Sequence, residues 1–181
     1  MREDGTRKLI LGGLFVALGI VLPMAFHSVG AGPVFLPMHI PVLLAGCITG
    51  PAVGVLVGAV TPILSSLLTG MPSLMPPVAQ MMVVELAIYG LLSGLTYKTW
   101  KLHIVVSLII AMFGGRIIYG ILRAFVLPLY GFSPIPVFYP ITAGLVAGLP
   151  GIVIQLVLIP PVVIFLERQL GVERSTSNRR R

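Results

Sequence analysis

Three ionisable residues lie well inside apolar runs of the sequence, and they are the first candidates for chemistry. Glu85 lies between the apolar segments 81–84 and 86–88, and Arg116 and Arg123 lie seven residues apart in a later run. That spacing places both arginines on one face of a helix. An unpaired charge inside a membrane costs about 3 kcal/mol or more. We therefore expect Glu85 to pair with one arginine, either Arg116 or Arg123.

Two cations against one anion leave a spare positive charge, which favours a ligand with a carboxylate, a phosphate or several acceptor atoms. The alternative interpretation of the pair is purely structural. Together with these charges, five further polar residues are expected to outline a polar pocket that is open to the outside: His39, Gln80, Tyr89, Tyr119 and Gln155. Each also has a simpler interpretation, since a histidine at a membrane interface can be structural and a glutamine can bridge two helices.

Other kinds of chemistry find little support in the sequence. The histidines His27, His39 and His103 have no HxxxH or HExxH spacing, so we expect no metal site. Ser65 and Ser66 have no histidine nearby in sequence, and there is no G-x-S-x-G, Walker or Rossmann pattern. We therefore expect no catalytic residue, no bound cofactor and no ATP hydrolysis by this chain.

Composition indicates an all-α integral membrane protein. The chain has 181 residues, is 57% hydrophobic and 9% charged, and has a mean hydropathy of +1.07. Soluble domains carry about 25% charged residues. A membrane-spanning helix needs about 20 apolar residues, which leaves room for about six. The net charge of +7 is concentrated at helix ends and in the tail, which is typical of membrane topology signals and does not indicate nucleic-acid binding.

The pattern predicts a six-helix membrane domain over residues 1–167 and a basic cytoplasmic tail over 168–181. The second helix is too short to cross the lipid alone, and Pro62 should break the outer third of the third helix. Three Pro/Gly-rich loops separate these helices on one side. The predicted helices cover about 6–29, 38–48, 51–68, 78–97, 103–127 and 141–166, and the loops cover 28–37, 69–77 and 130–140.

Charge distribution predicts the orientation of this bundle. The two termini and the turns near Thr49 and Lys98 together carry ten Lys and Arg residues, whereas the three Pro/Gly-rich loops carry none. Positive residues remain in the cytoplasm. Both termini are therefore expected in the cytoplasm and the three loops outside.

Small residues on the first helix suggest a contact surface. Gly13 and Ala17 form a small-xxx-small pair, which lets another helix approach closely. The alternative is ordinary packing inside the bundle. Gly50, Gly54 and Gly58 recur every four residues in the third helix and its preceding turn, and they are also suited to close helix contact.

Three sequence blocks resemble the substrate-binding S components of prokaryotic energy-coupling factor (ECF) vitamin transporters. They are LPMHIPVLLAG at 36–46, TPILSSLLTGMP at 61–72 and ELAIYGLLSG at 85–94. The resemblance implies a multi-pass plasma-membrane protein that binds a vitamin in its outer half, among helices 4 to 6 and under the first two loops. On this chain, that region maps onto Gln80, Glu85, Arg116, Arg123 and Gln155.

The resemblance also implies partners. S components dock on a transmembrane coupling (T) subunit through small residues of helix 1, often an Ala-xxx-Ala pair, in which Gly13 here replaces the first alanine and Ala17 is the second. Two separate ATPase subunits would hydrolyse ATP.

The ligand stays open at this point. The chain lacks the histidine-led N-terminus expected of nickel and cobalt members. The resemblance leaves pantothenate, a pyrimidine or pyridoxine-like precursor, or a cobalamin precursor such as dimethylbenzimidazole or its riboside. Two other classes of function compete with it: an intramembrane enzyme using Glu85 and the arginines on a lipid-linked substrate, and a scaffold whose charges only lock helices together.

Overall fold

The computed structural model describes residues 2–28, 35–131, 133, 136 and 138–170. This part of the chain consists of helices and their connections, without a β-strand. A short π-helical turn, Leu95–Thr99, continues the fourth helix. The helices are α1 (Arg2–Ser28), α2 (His39–Thr49), α3 (Pro51–Thr69), α4 (Val78–Gly94), α5 (Ile104–Leu129) and α6 (Phe138–Leu170).

Five of these helices are long and apolar enough to cross a membrane: α1, α3, α4 with its π-helical turn, α5 and α6. The remaining helix, α2, has 11 residues, and all of them are buried among its neighbours. A helix that is apolar all round is stable only when it is surrounded. The structure therefore confirms a helical membrane protein and the short second helix, while the count of six spans stays a prediction.

Glycines bring α3 and α4 into backbone contact. A methyl group added at Gly54 or at Gly90 would collide with the backbone of the other residue, and one added at Gly58 would collide with the backbone at Leu86. On α2, a side chain at Gly46 would collide with Ser93 and Gly90 of α4. Small residues permit this approach, in which van der Waals contact holds the helices together in lipid. The prediction from the glycine spacing is confirmed for Gly54 and Gly58.

The predicted break at Pro62 was wrong. Helix α3 continues through Pro62 to Thr69, and Pro62 is fully buried. A proline removes one helical hydrogen bond. Inside a membrane no water competes for the remaining bonds, so the helix persists on either side of the proline.

Hydroxyl groups at the end of α3 anchor the loop that follows it. Ser65 Oγ donates to the carbonyl oxygen of Met71 at 2.6 Å, and Ser66 Oγ donates to that of Pro72 at 2.6 Å. Gly70 ends the helix in the left-handed conformation, with φ of 74°. These contacts fix the loop 70–77 close to the point where α4 begins.

At the opposite end of the bundle, hydrogen bonds join α6 to α4 and to α1. Tyr97 donates a hydrogen bond to Glu167 Oε2 at 3.0 Å, which joins the end of α4 to α6. Arg7 on α1 donates to the carbonyl oxygen of Leu170 at the end of α6. The first turns of α1 and the last turn of α6 therefore lie at the same end of the bundle.

Candidate functional site

An ion pair joins α4 to α5 in the interior of the bundle. Arg116 Nη1 lies 3.1 Å from Glu85 Oε1. The two residues are 8% and 3% exposed, respectively. In a low-dielectric interior, each charge needs the other because neither is solvated by water. The structure thus selects Arg116, and not Arg123, as the partner of Glu85.

His39 and Tyr89 complete a buried cluster around this ion pair. His39 Nε2 lies 4.0 Å from the same Oε1 of Glu85, and the His39 ring packs edge-on against Tyr89 with ring centroids 4.9 Å apart. Tyr89 follows Glu85 by one helical turn on α4. We refer to His39, Glu85, Tyr89 and Arg116 as the buried cluster.

A glycine makes room for the cluster. A Cβ atom at Gly115 would lie 2.9 Å from the ring of Tyr89, so the absence of a side chain there lets Tyr89 pack directly on α5. Both ring nitrogens of His39 and Nε of Arg116 are buried and have no hydrogen-bond partner among the described residues. The cluster therefore retains hydrogen-bonding capacity beyond the ion pair.

Helix α6 borders the cluster. A Cβ atom at Gly148 would lie 3.4 Å from Arg116 Nη2, which shows how closely the guanidinium approaches this helix. Gln155 is buried, and its Nε2 donates to the carbonyl oxygen of Leu36 at 3.4 Å. Gln155 thus ties α6 to the segment that leads into α2.

Arg123 has quite different surroundings, two turns further along α5. Its Nη1 donates to the hydroxyl of Tyr119 at 3.2 Å, and its guanidinium carbon lies 6.0 Å from the centre of that ring. Among the described residues, no carboxylate lies within 4.0 Å of Arg123. Arg116 is therefore the interior arginine that pairs with a described carboxylate, and Arg123 is the one that does not.

Arg123 and Tyr119 line a cavity of about 600 Å³ at the loop end of α4 and α5. Pockets of about 300–1,000 Å³ are the size that holds small molecules. The lining is mostly apolar, with hydroxyl groups from two serines. The lining residues are Ser73, Met75, Pro76, Pro77, Val78, Met81, Tyr119, Arg123, Leu127 and Ser133.

The expected site residues therefore fall into separate places. The buried cluster contains four of them, and Tyr119 and Arg123 line the cavity. Gln155 lies on α6 and contacts the segment before α2. Gln80 is exposed on α4, where its Nε2 donates to the carbonyl oxygen of Leu74 at 3.4 Å, and it does not line the cavity. No group of three metal-ligating side chains occurs in the part of the chain that the structure describes.

Two cavity-lining methionines, Met75 and Met81, were not predicted from the sequence. The only signal was indirect: the loop before α4 had been expected to cover a pocket, so side chains flanking its prolines were candidates. Pro/Gly-rich loops have no periodicity from which the direction of a side chain can be deduced.

The small residues of α1 point away from the bundle. Gly13 and Ala17 are exposed, and a Cβ atom placed at Gly13 would contact no other described helix within 4 Å. Gly12 and Phe15 face inward instead, and a Cβ atom at Gly12 would lie 2.9 Å from Val53 of α3. In this structure the pair is available on the surface of α1.

One comparison with known proteins finds a match. The family model described as "ECF transporter, substrate-specific component" matches residues 7–163. No curated protein and no solved structure matches the chain.

Proposed function

Because the chain belongs to the substrate-specific components of ECF transporters, we propose that it captures a vitamin or vitamin precursor from outside the cell for ATP-driven uptake. As a member of this family it is a substrate-binding membrane subunit and not a catalyst. The observation that carries the proposal is the cavity of about 600 Å³ at the loop end of α4 and α5, with Arg123 in its wall. An alternative activity as an intramembrane enzyme has no support from a specific contact.

The proposed binding site has two layers. Arg123 and Tyr119 contact the ligand in the cavity, and the loop 70–77 covers it. The buried cluster and Gln155 lie deeper. Their contacts hold α2, α4, α5 and α6 in fixed positions beneath that cavity. Gln80 is exposed on α4 outside the cavity lining and contributes least.

The proposed topology has six spans. The short helix α2 counts as one of them because the surrounding helices separate it from lipid. Both termini face the cytoplasm of a prokaryote, the loops face outward, and the basic tail predicted over 168–181 stays inside. Helix α6 continues to Leu170, so residues 168–170 are helical, and residues 171–181 lie outside the described residues. Support comes from the distribution of Lys and Arg and from the contact between Arg7 and Leu170, which holds the ends of α1 and α6 together.

The proposed partners are a transmembrane coupling subunit and two ATPase subunits. The exposed face of α1 with Gly13 and Ala17 is the docking surface for the coupling subunit, because small residues let a partner helix approach closely. ATP is hydrolysed in the partner subunits. The candidate ligands remain pantothenate, a pyrimidine or pyridoxine-like precursor, and a cobalamin precursor such as dimethylbenzimidazole or its riboside.

Transport in reconstituted vesicles tests the proposal. The chain is reconstituted with the coupling and ATPase subunits of a shared ECF module, ATP is enclosed in the vesicles or omitted, and uptake of each radiolabelled candidate is measured. We expect ATP-dependent uptake of one of them. If the chain neither binds nor transports any small molecule in this assay, the proposed function is wrong.

A variant tests the docking surface separately. Gly13→Leu combined with Ala17→Leu should abolish uptake and leave ligand binding to the isolated chain unchanged. Gly5→Leu is the matched control, since Gly5 also lies on the exposed side of α1 with no neighbour within 4 Å. Unimpaired uptake by the double variant would refute this docking surface without touching the binding site.

A further inference from the structure

We propose that the cavity beside Arg123 selects a small organic anion, with one carboxylate or phosphate group at Arg123 and an apolar body against Met75 and Met81. This inference rests on the proposed function, because it names the chemical class of the substrate held in the same cavity. It follows from the charge, the hydrogen bonding and the shape of the lining.

Charge provides the first argument. Arg123 is the only charged residue among the ten that line the cavity, and Asp and Glu do not occur there. A guanidinium remains charged at any physiological pH. Its position in a membrane helix makes an uncompensated charge unfavourable, so an anion is stabilised there and a cation is repelled.

The other interior arginine cannot supply the same selectivity. Arg116 is already neutralised by Glu85 at 3.1 Å, so a ligand approaching the pair meets no net charge. The preference for an anion therefore depends on Arg123 alone, although both arginines lie on α5 and have the same side chain.

Hydrogen bonding provides the second argument. Tyr119 accepts one hydrogen bond from Arg123 Nη1 and so orients the guanidinium. The guanidinium carries five N–H donors in a planar fork, and the remaining ones can bind two oxygens of one carboxylate or phosphate. The Tyr119 hydroxyl is an acceptor in this contact, so its own proton can be donated to the same anion.

The rest of the lining describes the body of the ligand. Six of the ten lining residues are apolar: Met75, Pro76, Pro77, Val78, Met81 and Leu127. Methionine sulfur makes favourable contacts with aromatic rings. A molecule with a single anionic group and an aromatic or branched apolar body fits this surface, whereas a polyanion would leave most of its charge uncompensated.

The anionic group bound at Arg123 could belong to a phospholipid headgroup or to a soluble metabolite. We assign a soluble molecule because half of the lining residues lie in or beside loops at the aqueous end of the helices, including Ser73, Pro76 and Ser133. A lipid would reach the cavity from the side of the bundle, so the two sources are separable by what the protein retains.

The test is retention of small molecules by the purified chain. The detergent-solubilised protein is incubated with a deproteinised, lipid-depleted extract of bacterial cells, passed through a desalting column, and its bound molecules are identified by mass spectrometry. Co-purified phospholipids are measured in the same samples. The variants are Arg123→Gln and Arg123→Lys, and the control is Arg168→Gln, which removes an exposed arginine of α6.

We expect a retained carboxylate or phosphate compound that falls about 10- to 100-fold in Arg123→Gln, as for a lost charge-assisted hydrogen bond. Arg123→Lys should retain part of it, Arg168→Gln all of it, and the methyl ester of the compound should bind wild type as weakly as the acid binds Arg123→Gln. Melting temperatures of the variants show whether a loss of binding reflects misfolding.

Other results would overturn the inference. A neutral or cationic compound retained equally by wild type and Arg123→Gln refutes the anion site but leaves the proposed function intact. Loss of phospholipid alone in Arg123→Gln assigns the arginine to a lipid and also refutes it. Retention of no small molecule by wild type refutes both proposals.

Discussion

Arg116 and Arg123 lie seven residues apart on α5, yet their surroundings give them different properties. Arg116 is buried, lies 3.1 Å from Glu85 and borders α6 at Gly148. Arg123 is half-buried, contacts Tyr119 from its own helix and lines a cavity. The role of a buried arginine thus depends on whether a counter-charge lies beside it. The buried pair should govern stability, and the cavity arginine should govern affinity.

The largest expected effect comes from breaking the buried pair on its acidic side. Glu85→Ala leaves Arg116 buried without a counter-charge, which should lower the free energy of unfolding by about 3–5 kcal/mol. The measurement is unfolding of the detergent-solubilised protein in sodium dodecyl sulfate. Arg123→Gln is the control and should unfold almost as wild type does. Equal destabilisation by both variants would erase the distinction between the two arginines.

Removing both charges of the pair should restore most of that loss. In Glu85→Leu combined with Arg116→Leu no charge remains buried, and apolar replacements of buried ion pairs are often neutral or stabilising. We expect stability within about 1 kcal/mol of wild type, together with retained ligand binding at the cavity. If the double variant is stable but no longer binds, Arg116 contacts the ligand and both arginines contribute to affinity.

An intermediate effect is expected where α3 anchors the loop over the cavity. Ser66→Ala removes a hydroxyl whose single proton is shared between the carbonyl oxygens of Pro72 at 2.6 Å and Pro62 at 2.7 Å. Losing such a bond costs about 1 kcal/mol, so ligand should dissociate about five times faster. Ser107→Ala is a matched control, since that buried hydroxyl has no hydrogen-bond partner among the described residues. Identical dissociation rates in the two variants would show that the loop does not retain the ligand.

The smallest effect should come from the tyrosine that orients Arg123. Tyr119→Phe keeps the ring beside the guanidinium but removes the hydroxyl at 3.2 Å, so affinity should fall about 2- to 10-fold. Isothermal titration calorimetry measures it, with the exposed Tyr130→Phe as the control. An affinity loss as large as that of Arg123→Gln would mean that the hydroxyl itself carries the recognition.

Much of the fold was predictable because the hydropathy of a segment determines whether it inserts into the membrane as a helix. Composition indicated a helical membrane protein, and the short helix His39–Thr49 was expected within one residue of its observed bounds. The break at Pro62 was wrong because a proline rule derived from its local hydrogen bond ignores the lipid environment.

The candidate site was only partly predictable. Burial required a partner for Glu85, but choosing Arg116 depends on how α4 is rotated against α5, and Gly115 and Tyr89 set that rotation through contacts between distant residues. The spare charge on Arg123 followed from counting, whereas the cavity beside it depends on the path of the loop before α4. Gln80 seemed close to Glu85 in sequence, yet it is exposed and bonds to Leu74.

The glycine contacts between α3 and α4 have a mechanical consequence. Where Gly54 meets Gly90 and Gly58 meets Leu86, no side chain lies between the two backbones that could repack during a motion. We therefore expect α3 and α4 to move as one rigid unit together with α2, which packs closely against α4. We expect a solute to enter by displacement of the segment 70–77, which Ser65 and Ser66 attach to the end of α3 through hydroxyl hydrogen bonds, so that one side of the site can open while the other stays rigid.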